Sequence, residues 1–350
     1  MTGPSNAPPP WLSLLIPVYR VDEFLPACLA SIFAQDLAGI EIVVVDDGGP
    51  PESAQAVAAI ASQHPGVVRV VTHPANRGVS AARNTLLDQA RGEYVWFVDP
   101  DDLLEADAIA QLKAIVQAQS PDLVMLDFRV IRHDPNQDLE GPESARRYRK
   151  RRRDAHVGTF VGCSGEKRTS TDELVRGLFA AGHMQSWSKV VRRAAWPASL
   201  RFPEGRVFED LALFPRLALA VDSWYHAPAV WYAYRQRGGS LMTSLKASQL
   251  DDWMSALSGY SRELAATGRR FGDDTLFNLA HYRSQSLHTC LKKLREVGGD
   301  DVQRRGLARL AWQWTAGSPL GAGRVAWIYL RRLRVRQSLR SLSHWRAGSR

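Results

Sequence analysis

The acidic residues of this chain gather at three points where they could do chemistry. Asp99, Asp101 and Asp102 directly follow the apolar run Tyr94-Val95-Trp96-Phe97-Val98. Asp46 and Asp47 end a second apolar run, residues 40–45, and are followed by Gly48-Gly49. Glu209 and Asp210 head the apolar segment 211–220. Three carboxylates at a buried strand end repel one another unless a cation joins them, and a divalent metal carrying a diphosphate does so. Each point also has a plainer use. The 99–102 cluster could cap a helix beginning near Glu105, and Asp47 could shape a turn. Glu209 and Asp210 could stabilise the first turn of a helix through its dipole.

The elements that must position these groups follow from periodicity. Residues 11–19, 40–45, 67–72 and 93–98 read as buried strands. Between them, 22–35, 52–64 and 77–91 carry apolar residues at helical spacing. Residues 105–119 predict a further helix and 122–131 a further strand, and Asp102 is expected to cap that helix. Alternation of this kind predicts a doubly wound α/β sheet, mostly parallel, with ligands at the carboxyl ends of its strands. Residues 229–234 predict a short aromatic strand, and from about 246 onward the chain reads as helical. The expected division is a tail at 1–10, a catalytic domain at 11–245 with a polar insert near 139–171, and a helical accessory domain at 246–350.

Composition narrows the class. With 45% hydrophobic and 23% charged residues, the chain has the balance of a soluble protein with a sizeable core. A net charge of +9 favours anionic partners. Cys28, Cys163 and Cys290 lie far apart, which argues against a disulfide framework or a cysteine zinc site and fits a reducing cytoplasm. No apolar run is long enough to span a membrane. The run Arg146-Arg147-Tyr148-Arg149-Lys150-Arg151-Arg152-Arg153 reads either as a solvated face or as a contact for anionic lipid headgroups. Nucleic acid is not expected, because one Tyr among these arginines makes no stacking platform.

Taken in order, IPVY at 16–19, VVVDDG at 43–48, NRGVSAARN at 76–84, GEYVWFVDPDD at 92–102, WSK at 187–189, EGRVFEDL at 204–211 and YRQRGGS at 234–240 resemble the family 2 glycosyltransferases of GT-A fold. The likeness is to bacterial enzymes that build surface polysaccharides, and it covers about 11–245. The resemblance implies an inverting enzyme that takes a nucleotide-sugar donor, most readily a UDP-sugar, with Mn2+ or Mg2+. It implies that Pro17, Tyr19, Asp47 and Arg83 serve the nucleotide, with Tyr19 facing the base and Asp47 accepting from a ring N–H. Asp101 is the implied metal ligand and Asp99 lies nearer the ribose. Asp210, beside Glu209, is the implied general base. Arg235, Arg237 and Ser240 fall to the leaving diphosphate, while Trp187 and Lys189 line the donor-sugar or acceptor site or belong to the core and surface. Arg20 stands where the family usually has Asn, and Gly49 replaces a frequent Ser.

The implied acceptor is a glycan or glycolipid at the inner face of the cell membrane. Residues 323–342 mix apolar and Arg residues without one clean apolar face. They suit a membrane interface, a bundle packed on the catalytic domain, or a second subunit. A catalytically silent scaffold that binds sugar nucleotides is the alternative, and retention of Asp47, Asp99, Asp101 and Asp210 argues against it.

Overall fold

A computed structural model describes residues 8–20, 23–132, 156–236 and 245–297, together with 306, 309–310, 312–314 and 318–331. The basic run 146–153, Arg237 and Ser240 lie outside the described residues.

The first half alternates strand and helix as its periodicity predicts. It runs β1 (Leu12–Val18), α1 (Leu25–Phe33), β2 (Ile40–Asp46), α2 (Pro51–Gln63), β3 (Val68–Thr72), α3 (Val79–Gln89) and β4 (Tyr94–Phe97). A two-residue β5 (Leu103–Leu104) then precedes α4 (Ala108–Gln119) and β6 (Leu123–Arg132). Beyond the insert come β7 (His156–Val157), β8 (Lys167–Arg168), α5 (Thr171–Ala181), a 3-10 turn (Ser186–Ser188) and β9 (Lys189–Arg192). The chain continues with α6 (Glu209–Ala220), β10 (Trp224–Gln236), α7 (Ala247–Ser255), α8 (Tyr260–Ala266), α9 (Asp273–Val297) and α10 (Ala322–Arg331).

The strands form one sheet in the order β3-β2-β1-β4-β9-β6-β10-β5. Pairings among β1, β2, β3 and β4 are parallel, as is β6 with β10, whereas β9 runs antiparallel between β4 and β6. The sheet is therefore mostly parallel, with one antiparallel strand at its centre that sequence patterning did not reveal. Two predicted boundaries change. The aromatic strand extends to the thirteen residues of β10, and the helix expected from Glu105 begins at Ala108.

Alternation along β1 and β2 sends Leu14, Ile16 and Ile42 to one face and Leu15, Val43 and Val45 to the other, giving each face its own core. The second core also takes in Leu257, Tyr260, Leu264 and Leu279, where the helical region packs against α5 and α6. Helix α10 buries Val325, Ala326 and Tyr329 and exposes Trp327 and Leu330; residues 332–342 lie outside the described residues. Among the described residues, no helix is long and apolar enough to cross a membrane.

Candidate active site

The carboxyl end of β4 is tied down from several sides. The Asp99 N–H donates to the Tyr232 hydroxyl at 3.0 Å, and the Cys28 thiol donates to the Asp99 carbonyl at 3.7 Å. Asp102 does not cap α4, correcting that expectation. It is fully buried, and its Oδ1 accepts from the Arg235 N–H at 2.7 Å. Asp107 takes the cap position instead, with a left-handed backbone and no side-chain cap bond. Burial, then the charges of Asp99 and Asp101, push the Asp102 carboxyl well above the usual carboxylate range. Its Oδ2 is buried with no hydrogen-bond partner. Arg235 reaches back from β10, its Nε donating to the Asp101 carbonyl at 2.8 Å and its guanidinium lying 5.4 Å from the Phe24 ring centre.

Arg83 joins this strand end to the distant Glu209-Asp210 pair. It projects from α3 and is almost wholly buried. Its Nη2 donates to Asp99 at 3.0 Å, and its Nη1 to Glu209 at 2.7 Å and Asp210 at 3.1 Å. Burial alone would lower the guanidinium's pKa, but Asp210, Asp99 and Glu209 together raise it. Asp210 also accepts the Ser186 N–H at 3.1 Å. Burial pushes the Asp210 carboxyl up to about 7, opposed by Arg83 and reinforced by Glu209 and Asp99. A carboxylate held near neutrality is suited to take a proton at physiological pH.

WSK occupies the 3-10 turn and the start of β9. Trp187 is buried, stacked on Tyr232 at 4.5 Å and edge-on to Phe128, so it packs in the core. Lys189 is buried as well. Its Nζ donates to the carbonyls of His183 and Gln185, each at 3.0 Å, and to Ser188 Oγ at 2.9 Å. Three acceptors matched to three N–H groups favour the ammonium, although burial pulls its pKa down to about 7. Lys189 thereby pins the loop whose Ser186 amide holds Asp210.

Pro17, Tyr19 and Asp47, three of the residues expected to serve a nucleotide, lie at the ends of β1 and β2. Pro17 is buried within β1, and Tyr19, just beyond it, is 38% exposed with the Arg20 guanidinium 5.2 Å from its ring centre. Arg20 has a φ of 51°. Asn enters that left-handed region more readily than Arg, which gives a physical reason for the family's usual residue at this turn. Asp47 is nearly fully buried, and each of its oxygens accepts two donors. Oδ1 takes His73 Nδ1 at 2.6 Å and the Arg77 N–H at 3.0 Å. Oδ2 takes Asn76 Nδ2 at 3.1 Å and the Gly78 N–H at 2.8 Å. A nucleobase N–H reaches this carboxylate only by displacing one of the four. Gly48 beside it is required: its φ is +67°, and a Cβ there would sit 2.4 Å from the Ala75 backbone.

Sequence reading missed His73, Tyr232 and Ser186. Each acts on a predicted site residue, but a lone His after a strand, a Tyr in an aromatic run and a main-chain amide carry no sequence signal.

With this geometry in view, residues 13–173 match the family model for glycosyl transferase family 2. These residues form a glycosyl transferase family 2 domain. It is 29% identical over 299 residues to glycosyltransferase GlyA of Streptococcus pneumoniae, covering 83% of this chain but only 39% of GlyA. It is 25% identical to the succinoglycan biosynthesis protein ExoO of Rhizobium meliloti, covering 77% of this chain and 73% of that protein. Among solved structures, residues 1–349 of TarS from S. aureus in complex with UDP-GlcNAc superpose with a TM-score of 0.68. That match has 17% identity and covers 97% of this chain and 90% of the TarS chain. The fold is thus GT-A, with a helical C-terminal region.

Proposed function

We propose that this chain is an inverting, divalent-cation-dependent glycosyltransferase that moves a sugar from a UDP-sugar to a hydroxyl of a surface glycan or glycolipid. The carrying observation is the meeting of Asp99, Glu209 and Asp210 on the buried Arg83 guanidinium, which sets a strand-end acid beside a carboxylate near neutrality. The UDP-GlcNAc held by TarS and the succinoglycan role in ExoO's name support the donor and acceptor classes.

Asp210 takes the proton of the acceptor hydroxyl as that oxygen bonds to the anomeric carbon. The bond from that carbon to the β-phosphate oxygen breaks, and its electron pair leaves on the diphosphate. A single displacement inverts the anomeric centre without a protein nucleophile. Asp101 would hold Mn2+ or Mg2+, with Asp99 toward the ribose. The carboxylate oxygens of Asp99 and Asp101 are donors of the hard kind that such a cation takes. Among the described residues, no three His, Cys, Asp or Glu side chains form a metal site by themselves; a bound cation would take its remaining ligands from the donor's phosphates. When bound, the cation offsets charge on the leaving diphosphate. Arg235, Arg237 and Ser240 act on the same group, and Tyr19 faces the base.

Peripheral contact with an anionic membrane rests on exposed Trp327 and Leu330 and on the basic run 146–153. It would place the enzyme at the inner face of the cell membrane. Self-association is the other way to cover the exposed face of α10.

The test is hydrolysis of UDP-glucose, UDP-galactose, UDP-GlcNAc and GDP-mannose, each measured with Mn2+ and with chelator, for the parent and Asp210→Asn. Metal-dependent release of nucleoside diphosphate is expected, falling roughly 10²-fold or more in the mutant. UDP affinity should survive in that mutant. Tight UDP binding with no turnover under any condition would instead make the chain a sugar-nucleotide-binding protein.

A further inference from the structure

The turn that carries Glu209 and Asp210 is held from both sides. At its start, Asn84 of α3 exchanges two hydrogen bonds with the Phe202 backbone, each 2.9 Å. At its end, Phe208 sits immediately before Glu209 with φ 61° and ψ 33°. A bulky side chain rarely adopts this left-handed conformation, and the backbone keeps it only where surrounding contacts impose it. Here the contacts come from α7, outside the region that carries the family motifs. The Phe208 ring stacks on Trp253 with centres 4.6 Å apart and planes 21° apart. The preceding Val207 N–H donates to Asp252 Oδ2 at 3.3 Å. Both rings also pack against the apolar clusters on either side of them, and a pocket of about 250 Å³ opens beside the turn, lined by Pro203, Arg206, Val207, Asp252 and Ser255. No hydrogen bond fixes the indole, because Trp253 Nε1 is buried without a partner.

We propose that Trp253 and Asp252 are positioning residues of the transferase, holding Phe208 in its left-handed conformation and thereby setting Asp210 against Arg83 and Ser186. The helical region is then part of the catalytic apparatus, with α7 completing the turn that the GT-A sheet alone leaves strained. This proposal rests on the reading of Asp210 as the base.

The experiment compares Trp253→Ala and Trp253→Phe with the parent for metal-dependent UDP-sugar hydrolysis and for UDP affinity by calorimetry. Trp253→Ala should lower kcat at least tenfold while leaving the UDP dissociation constant within about twofold. Trp253→Phe keeps an aromatic face and removes the unpartnered N–H, so it should retain parental kcat. In a Phe208→Gly background, where glycine adopts the conformation freely and no stack exists, Trp253→Ala should have little further effect. Parental kcat in Trp253→Ala, equal losses in the Phe and Ala variants, or parallel loss of kcat and UDP affinity would each overturn the proposal. Asp210→Asn, run alongside, separates the two readings. Full activity in that mutant removes the base assignment, whereas the Phe208 double-mutant comparison still reports whether α7 governs the turn.

Discussion

The two acidic strand ends, Asp46-Asp47 after β2 and Asp99-Pro100-Asp101-Asp102 after β4, look alike in sequence and differ in what surrounds them. At the first, Asp47 is saturated by donors from His73, Asn76 and the Arg77 and Gly78 amides. At the second, the acids crowd one another, Asp102 is fully buried against Tyr232 and the Arg235 amide, and the nearby cation Arg83 is shared with two further carboxylates. A carboxylate whose lone pairs the protein has filled stabilises a loop. At the β4 end one guanidinium serves Asp99 together with Glu209 and Asp210, and burial holds Asp102 toward its neutral form. Acidity at a strand end therefore does not by itself say how a carboxylate is held.

The largest effect expected from this difference concerns metal. Asp101→Ala should remove the gain in UDP affinity that Mn2+ or Mg2+ confers and lower turnover roughly 10²-fold or more, a loss of several kcal/mol of charge stabilisation. Its melting temperature should stay at or above the parent's, because one repelling charge is gone. Equal UDP affinity for parent and mutant in metal would break the comparison at this end. Next comes Asp47→Ala, which removes the shared acceptor of buried His73, half-buried Gly78 and the exposed Asn76 and Arg77. It should destabilise the fold by about 2–3 kcal/mol, with or without metal. Chemical denaturation showing the parent's midpoint would mean that the four bonds do not hold the loop at 73–78.

How much of this was legible beforehand depends on whether the cause was local. β1 to β4 and their helices announce themselves because apolar runs and helical spacing are properties of adjacent residues. β9 does not, because Lys189-Val190-Val191-Arg192 is four residues long with a charge at each end. Its place in the sheet is set by edges offered by β4 and β6. The resemblance named Asp99, Glu209 and Asp210 individually, but nothing in the spacing said that Arg83 would join them. Lys189 was harder still. A lysine reads as surface, and two of the acceptors that let it be buried are main-chain carbonyls, which every residue has. Asp favours a cap position, which is what sequence alone predicts for Asp102, and burial against Tyr232 and Arg235 of β10 overrides that local preference.

The smallest predicted effect contrasts Asp210 with the saturated Asp47 and turns on the sign of a proton linkage. Asp210 is shielded rather than saturated, and burial raises its pKa from the ordinary carboxylate range to about 7. A group whose pKa is higher folded than unfolded gives stability that is fully present below the unfolded pKa. That stability is lost as pH rises through the folded value. The window for Asp210 therefore runs from about pH 4 to about pH 7. Lys189, pulled down toward 7, stays protonated below that pH and exerts its own effect only above it. Catalysis runs the opposite way, since the base must be ionised, so turnover should rise with pH over the window in which this contribution to stability is lost. Asp210→Asn is isosteric with the protonated acid and cannot ionise. Its stability relative to the parent should climb between pH 4 and 7 by on the order of 1 kcal/mol, given the coupling to Arg83 and Lys189, and the difference in melting temperature should rise with it. Paired thermal melts of parent and mutant across that range, with hydrolysis rates of the parent alongside, measure both trends. A flat or falling difference in melting temperature would show that Arg83 already holds Asp210 ionised throughout. In that case the acidic limb of the rate profile should also disappear from the region near neutrality.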